Sequence, residues 1–122
     1  MNNKYKILLV EDEKNIQTFV TALLEAEGYQ VICTGSCENG KMLFSSHNPD
    51  LVVLDLGLPD KDGMEVLVHI RKISSAPVIV LSARANESDK VSALDSGAND
   101  YVTKPFGPAE FMARVRSALR NT

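Results

Sequence analysis

Residues 51–63 read Leu51-Val52-Val53-Leu54-Asp55-Leu56-Gly57-Leu58-Pro59-Asp60-Lys61-Asp62-Gly63. The first four are apolar without alternation, the pattern of a strand buried on both faces of a parallel sheet. Gly57 to Gly63 is dense in turn residues. Beyond the turn, Val66, Leu67, Ile70 and Ile73 fall at helical spacing. Strand, turn and helix in that order make one β-α unit, and the rest of the chain repeats it.

Upstream, Asn48-Pro49 breaks a helix that runs from about Cys37 to Ser46, with Ser36 as its N-cap. Gln30–Thr34 is a short strand. Ile16, Phe19, Val20, Leu23 and Leu24 mark a helix closed by Gly28, with Ile16, Phe19 and Leu23 assigned to the core. Lys6–Val10 is the first strand. Downstream, Pro77–Leu81 is a fourth strand, with proline at its first position, where a missing donor is tolerated. A helix from about Glu87 to Ser96 ends at Gly97. Tyr101–Thr103 is a short fifth strand, and Lys104-Pro105-Phe106-Gly107 is a loop. Pro108 opens a last helix whose inner stripe is Phe111, Val115, Ala118 and Leu119. The units recur at roughly 22–26 residues. The expected architecture is α/β: a doubly wound, five-stranded parallel sheet with right-handed crossovers and five helices on its two faces.

The chain has 122 residues, which fits one domain with a core of its own. With 44% hydrophobic and 24% charged residues, it is an ordinary folded domain rather than a disordered tail. No apolar run approaches the roughly 18 residues of a membrane span. After Met1-Asn2-Asn3-Lys4-Tyr5-Lys6, the apolar run Ile7 to Val10 is too short for a signal-peptide core, so the expected address is the cytoplasm. Thirteen basic against sixteen acidic residues, without a basic stripe, argue against nucleic-acid binding by this chain. Cys33 and Cys37 have neither the companions of a zinc site nor redox spacing, and read as ordinary thiols.

The polar residues fall in one kind of place. Glu11 and Asp12 follow strand one, Asp55 strand three, Ser82 strand four and Lys104 strand five. In open α/β sheets the carboxyl ends of the strands bind ligands, beside the point where strand order reverses. With the order 2-1-3-4-5, strands one and three meet there, and Glu11, Asp12 and Asp55 converge. Two unit charges 4 Å apart repel by about 4 kcal/mol at an effective dielectric of 20. Lys104 offsets part of this. A hard divalent cation offsets more, and carboxylates with a carbonyl and water suit Mg²⁺, with Mn²⁺ as a second fit. The competing reading makes Glu11-Asp12-Glu13 a helix-dipole complement. It weakens once Asp55, Ser82 and Lys104 join them. Such a cluster performs phosphoryl transfer to a carboxylate. Asp55 is the expected nucleophile, because it ends the most apolar strand. Gly57 leaves its carbonyl open to the metal, Lys104 and Ser82 meet the phosphoryl oxygens, and the small Ala83 leaves room.

Val10-Glu11-Asp12-Glu13, Leu54-Asp55-Leu56-Gly57-Leu58-Pro59-Asp60, Leu81-Ser82-Ala83-Arg84 and Lys104-Pro105-Phe106 together resemble the receiver domain of bacterial two-component response regulators. The likeness covers residues 1–122, essentially the whole chain. It implies the flavodoxin-like receiver fold and phosphorylation of Asp55 by a histidine kinase. It also implies Mg²⁺ on Glu11 (through water), Asp12, Asp55 and the Gly57 carbonyl, a cis Lys104-Pro105 bond, and a switch in which Tyr101 turns inward with Ser82. Ser88-Asp89-Lys90, Gly97-Ala98-Asn99-Asp100-Tyr101 and Glu110, Arg114 and Arg116 resemble the OmpR/PhoB subfamily, whose members dimerise through the fourth helix, fifth strand and fifth helix. That likeness pairs Lys90 with Glu110, and Asp100 with Arg114, across a two-fold axis. Asn99 stands where the subfamily usually has Asp, which leaves Arg116 without its charged partner. Leu56-Gly57-Leu58-Pro59-Asp60 and Val80-Leu81-Ser82-Ala83-Arg84 resemble the potassium-responsive regulators of the subfamily. A C-terminal winged-helix DNA-binding domain is expected in the parent protein, outside this chain.

Three rival readings fit the residues less well. A haloacid-dehalogenase-type phosphatase needs a second Asp where Gly57 stands. A flavin module needs a phosphate cradle where Glu11-Asp12-Glu13 stands. A stand-alone receiver acting by protein contact fits the size but not the subfamily-like last helix.

Overall fold

The structure, a computed structural model, describes residues 5–121. Met1 to Lys4, on which the signal-sequence argument partly rests, and Thr122 lie outside the described residues. The elements alternate without exception: β1 (Lys6–Val10), α1 (Lys14–Ala26), β2 (Gln30–Thr34), α2 (Cys37–His47), β3 (Leu51–Leu54), α3 (Met64–Ile73), β4 (Val78–Ser82), α4 (Glu87–Asp95), β5 (Asp100–Thr103) and α5 (Pro108–Arg120). The sheet is parallel throughout, in the order β2-β1-β3-β4-β5. The expected fold class and strand order are both found.

Alternate residues of the apolar strands serve two cores, which is why the strands read as unbroken apolar runs. On one face Ile7, Leu9, Val53, Ile79 and Leu81 pack against Val20 and Leu24 of α1 and Phe111, Val115 and Leu119 of α5. On the other, Leu8, Val10, Val52, Leu54 and Val80 pack against Phe44 of α2, Leu67 and Ile70 of α3 and Ala93 of α4. Residues of α4 are buried only at Ala93, and its Val91 and Leu94 are about half exposed. No helix among the described residues is long and apolar enough to cross a membrane.

Several boundaries and one core assignment differ from the sequence reading. β4 starts at Val78 rather than Pro77, whose carbonyl instead accepts from the Val52 N–H at 3.0 Å. β5 starts one residue early, because Asp100 pairs in register with Ile79. Phe19, assigned to the core, is 45% exposed. It lies at the edge of the α1 stripe and leans on Phe106, which leans on Phe111, with centroids 5.9 and 5.3 Å apart. Ile73 ends α3 and is also exposed.

The end of the sheet remote from the strand carboxyl ends is held by Arg71 of α3. Its guanidinium donates to the carbonyls of Gly97 (2.9 Å) and Ala76 (2.6 Å) and to Asn99 Oδ1 (2.9 Å). Asn99 Oδ1 also accepts from the Val78 N–H at 2.9 Å. Asn99 is therefore used within its own chain. Arg116, expected to lack a charged partner, meets Glu27 of the same chain at 3.2 Å. Gly97 has φ +112°, and a Cβ there would stand 2.8 Å from Arg71 Cγ and Nε. Gly97→Ala is expected to cost about 2 kcal/mol from left-handed backbone and crowding together. A urea titration checks this by a lower midpoint at unchanged slope.

Candidate functional site

Parallel register brings the site together. Val10 lies opposite Leu54, and Leu54 opposite Val80, so Glu11 and Asp55, the residues after β1 and β3, emerge side by side, next to Leu81 and Ser82, which end β4 rather than follow it. The ladder continues one step past β1 and β3: the Asp55 N–H donates to the Val10 carbonyl at 2.9 Å and the Glu11 N–H to the Thr34 carbonyl at 2.8 Å. The next residues in the chain are thus fixed by backbone bonds before any side chain contributes.

Carboxylate oxygens of Glu11, Asp12 and Asp55 lie within 4.8 Å of one another. Glu11 and Asp55 are buried, and Asp12 is exposed. Lys104 Nζ donates to Glu11 Oε1 at 2.6 Å and to Asp55 Oδ2 at 3.3 Å. Glu11 Oε2 accepts from the Glu13 N–H at 2.9 Å, and Gln17 Nε2 donates to the Glu11 carbonyl. Burial pushes the Glu11 carboxyl above its ordinary value, against the Lys104 bond. Burial would depress the Lys104 ammonium, but the Glu11 bond and the Asp55 charge outweigh it and hold its pKa up. The Glu11 carboxylate thus divides between Lys104 and the N–H of Glu13, the N-cap residue of α1, so a contribution to the start of the helix coexists with its place in the cluster.

Ser82 is buried, and its Oγ accepts from the Arg84 N–H at 3.2 Å. The Lys104 N–H donates to the Ser82 carbonyl at 2.9 Å, and Lys104-Pro105 is cis. The cleft, about 390 Å³, is lined by the acidic groups with Gly57, Ser82, Ala83 and Lys104. All the residues expected around the reacting carboxylate line this cleft. Tyr101 is half-buried outside it, with its hydroxyl donating to the Arg84 carbonyl at 2.7 Å. The donor set is hard oxygen alone, without nitrogen or sulfur, and it carries more negative charge than Lys104 offsets. That chemistry fits Mg²⁺.

The loop after Asp55 is fastened by residues the sequence reading left without a role. Asp60 caps α2, accepting from the N–H groups of Cys37 (2.9 Å) and Glu38 (3.1 Å). The Cys37 thiol donates to the Lys61 carbonyl at 3.2 Å. Burial, with Asp60 and Glu65 nearby, pushes its pKa up to about 11, so it stays a protonated donor. Asp62 Oδ1 accepts from the Met64 N–H at 2.9 Å, and Asp62 Oδ2 meets Arg84 at 3.1 Å. An acidic residue three before Glu65 was a readable capping signal; the contacts of Asp60 and Cys37, made across the fold, had none. Gly63 must lack a side chain, because a Cβ would stand 2.2 Å from the Asp55 carbonyl oxygen.

Of the residues expected on a dimer face, Arg114 meets Asp100 at 3.0 Å and Glu110 at 2.8 Å within one chain. Lys90 is half-buried on α4.

Comparison with known proteins agrees with this geometry. The response regulator receiver domain family matches residues 7–116. The KDP operon transcriptional regulatory protein KdpE of Escherichia coli (strain K12) is 50% identical over 114 residues, 93% of this chain and 51% of that protein. The chain spans about half the length of the curated relatives it matches. The BeF3-activated N-terminal receiver domain of Klebsiella pneumoniae RstA superposes with a TM-score of 0.90 at 32% identity, covering 94% of this chain and 98% of that one. The receiver domain of the sensor histidine kinase PA1611 from Pseudomonas aeruginosa PAO1 superposes with a TM-score of 0.87 at 31% identity, covering 96% and 98%. That structure has a magnesium ion coordinated in its active-site cleft.

The crowding of carboxylates has a cost that can be measured. Asp12→Ala removes one charge from the cluster without emptying a buried site. Its exposure screens the repulsion, so the metal-free protein is expected to gain about 1 kcal/mol. Urea melts in EDTA check this, and a midpoint below that of the parent would contradict the clustering.

Proposed function

The chain belongs to the response regulator receiver domain family, and from that membership we propose that Asp55 accepts a phosphoryl group from the phosphohistidine of a sensor kinase. The supporting observation is the convergence of the Glu11, Asp12 and Asp55 oxygens within 4.8 Å, with Lys104 Nζ 3.3 Å from Asp55. An Asp55 carboxylate oxygen forms the new bond to phosphorus. The bond from phosphorus to the kinase imidazole breaks, and the imidazole takes up the departing electron pair and a proton. The product is an acyl phosphate, which water later hydrolyses.

Glu11, Asp12, Asp55 and the Gly57 carbonyl hold Mg²⁺ in this reading, with Mn²⁺ as a substitute. When bound, the metal neutralises charge on the phosphoryl oxygens. Lys104 moves its hydrogen bond from Asp55 Oδ2 to a phosphoryl oxygen, which preserves its pairing with Glu11. The Ser82 hydroxyl donates to another phosphoryl oxygen. Ala83 keeps the approach open. Tyr101 follows Ser82 and changes the face made by α4, β5 and α5. Asn15 and Thr18, exposed on α1, are the residues this reading offers to the kinase.

The output in this reading is a homodimer through α4, β5 and α5, using Lys90, Asp100, Glu110 and Arg114. Likeness to KdpE supports a transcriptional role in which a winged-helix domain elsewhere in the parent protein binds DNA, controlling a potassium-transport operon. The reading places the protein in the cytoplasm, without membrane contact of its own. As a signalling domain it catalyses only its own phosphorylation and slow dephosphorylation.

Intact mass after incubation with acetyl phosphate is expected to show one added phosphoryl group that needs both Mg²⁺ and Asp55. Asp55→Asn with Mg²⁺, and the parent with EDTA, are expected to show none. An adduct that survives Asp55→Asn would overturn the assignment of the acceptor. Sedimentation of the phosphorylated protein is expected to give a dimer.

A further inference from the structure

The turn from β2 into α2 touches both halves of the acidic cleft. Gly35 lies against the first half: a Cβ on it would stand 3.3 Å from Asp12 Cα and 3.7 Å from the Glu11 carbonyl oxygen. The start of α2 grips the second half. The Cys37 and Glu38 N–H groups donate to the two carboxylate oxygens of Asp60, and the Cys37 thiol donates to the Lys61 carbonyl. Asp62, next in the chain, pairs in an isolated bridge with Gly57. Residues 35–38 therefore stand between the chain that carries Asp12 and the loop that carries the Gly57 carbonyl, and Asp12 and Gly57 line the same cleft. The turn is itself firmly seated. The Thr34 carbonyl accepts from the Glu11 N–H at 2.8 Å, and Cys37 is fully buried. The helix lies so close to β1 that a Cβ on Gly40 would stand 3.2 Å from Val10 Cγ2.

We propose that this turn is a positioning element, a spacer that sets how far apart Asp12 and the Gly57 carbonyl stand and so which divalent cation the cleft prefers. The inference rests on the Mg²⁺ reading of the cleft and assigns its selectivity to residues outside the donor set. Asp12 and Gly57 follow β1 and β3 and are both exposed, so burial does not fix them. Contact with Gly35 limits Asp12 from one side, and the grip on residues 60–62 limits Gly57 from the other. Mg²⁺ takes oxygens at about 2.0–2.1 Å in near-ideal octahedral geometry, whereas Ca²⁺ accepts about 2.3–2.6 Å and irregular shells. A fixed span therefore suits the smaller ion, and loosening it weakens Mg²⁺ more than Ca²⁺.

Two variants approach the spacer from opposite sides. Gly35→Ala sets a methyl group against Asp12, whose chain must give by a few tenths of an ångström. Asp60→Asn leaves one oxygen for two N–H groups of α2 and so loosens the Gly57 loop. Asp60 is exposed, so this variant keeps its fold. Calorimetry of the metal-free protein with MgCl2, and separately with CaCl2, gives both affinities without any phosphoryl donor. In each variant Mg²⁺ affinity is expected to fall about tenfold, the usual loss when a group that orients a metal ligand is removed, and Ca²⁺ affinity less than about threefold. Losing the Asp60 charge weakens both cations alike, so the ratio of the two affinities separates spacing from charge. Mg²⁺ affinity within about twofold of the parent in both variants would overturn the proposal. So would equal losses for the two cations, which mark lost charge or general loosening, and so would a ratio altered in only one variant. Thermal melts confirm that each variant is folded. A parent that binds neither cation sinks the Mg²⁺ reading itself. A parent that binds Mg²⁺ beside variants that bind it equally well sinks the spacer alone.

Discussion

Lys104 makes the rest of the site tolerable. The parallel register of β1 and β3 forces Glu11 and Asp55 to emerge next to each other, and both are buried. Unpaired, two carboxylates so placed would lose hydration and repel as well. An ammonium within 2.6 Å of one and 3.3 Å of the other offsets both losses. The lysine is held in place in turn by the Ser82 carbonyl, which accepts from its N–H. The site is therefore a set of charges balanced through backbone bonds at the ends of four strands. Asp12 is left over on the exposed rim, and its charge is the surplus that a cation would answer.

Stability is distributed unevenly around this centre. The β1, β3 and β4 strands are buried on both faces, so the acceptor carboxylate stands on a rigid platform. On the α2 side, a carboxylate cap and a buried thiol hold the loop after Asp55. On the α4 side, the fastening is a half-exposed ion pair and two carbonyl contacts, and α4 itself buries one residue. Segments with few buried apolar groups open at low cost. A strained event at Asp55 would therefore be relieved toward α4 and β5, because the other directions are more expensive to move.

Much of this was legible in the chain. Apolar runs such as Leu51–Leu54 and Lys6–Val10 have no other good use than strands buried on both faces, and the position of polar groups just after them follows from the fold rule for such sheets. Boundaries moved by a residue at Pro77 and Asp100, where pairing with a neighbour rather than composition decides. Phe19 was misread because helical periodicity gives the direction of a stripe and not its width. Asp60, Cys37 and Arg84 were not legible as fasteners. Their partners lie 22 to 28 residues away across the fold, where no period relates position to direction. Asn99, read from the sequence only as a departure at an interface position, is also an acceptor for Arg71 and the Val78 N–H, which no local pattern announced.

The internal pairing of Arg114 bears on how an interface on this face would work. Arg114 already meets Asp100 and Glu110 in its own chain, so pairing across a two-fold axis would exchange bonds rather than add them. Exposed pairs contribute little even when newly made. The charges would therefore select and align a partner more than they would hold it. Area to hold it must come from apolar side chains, and Val91 and Leu94 are the large ones α4 leaves uncovered. Because α4 is also the weakly seated helix, small changes in its position would alter how those two side chains are presented. In such an interface, affinity would depend on where α4 sits, which is the element that the contacts of Tyr101 and Arg84 adjoin.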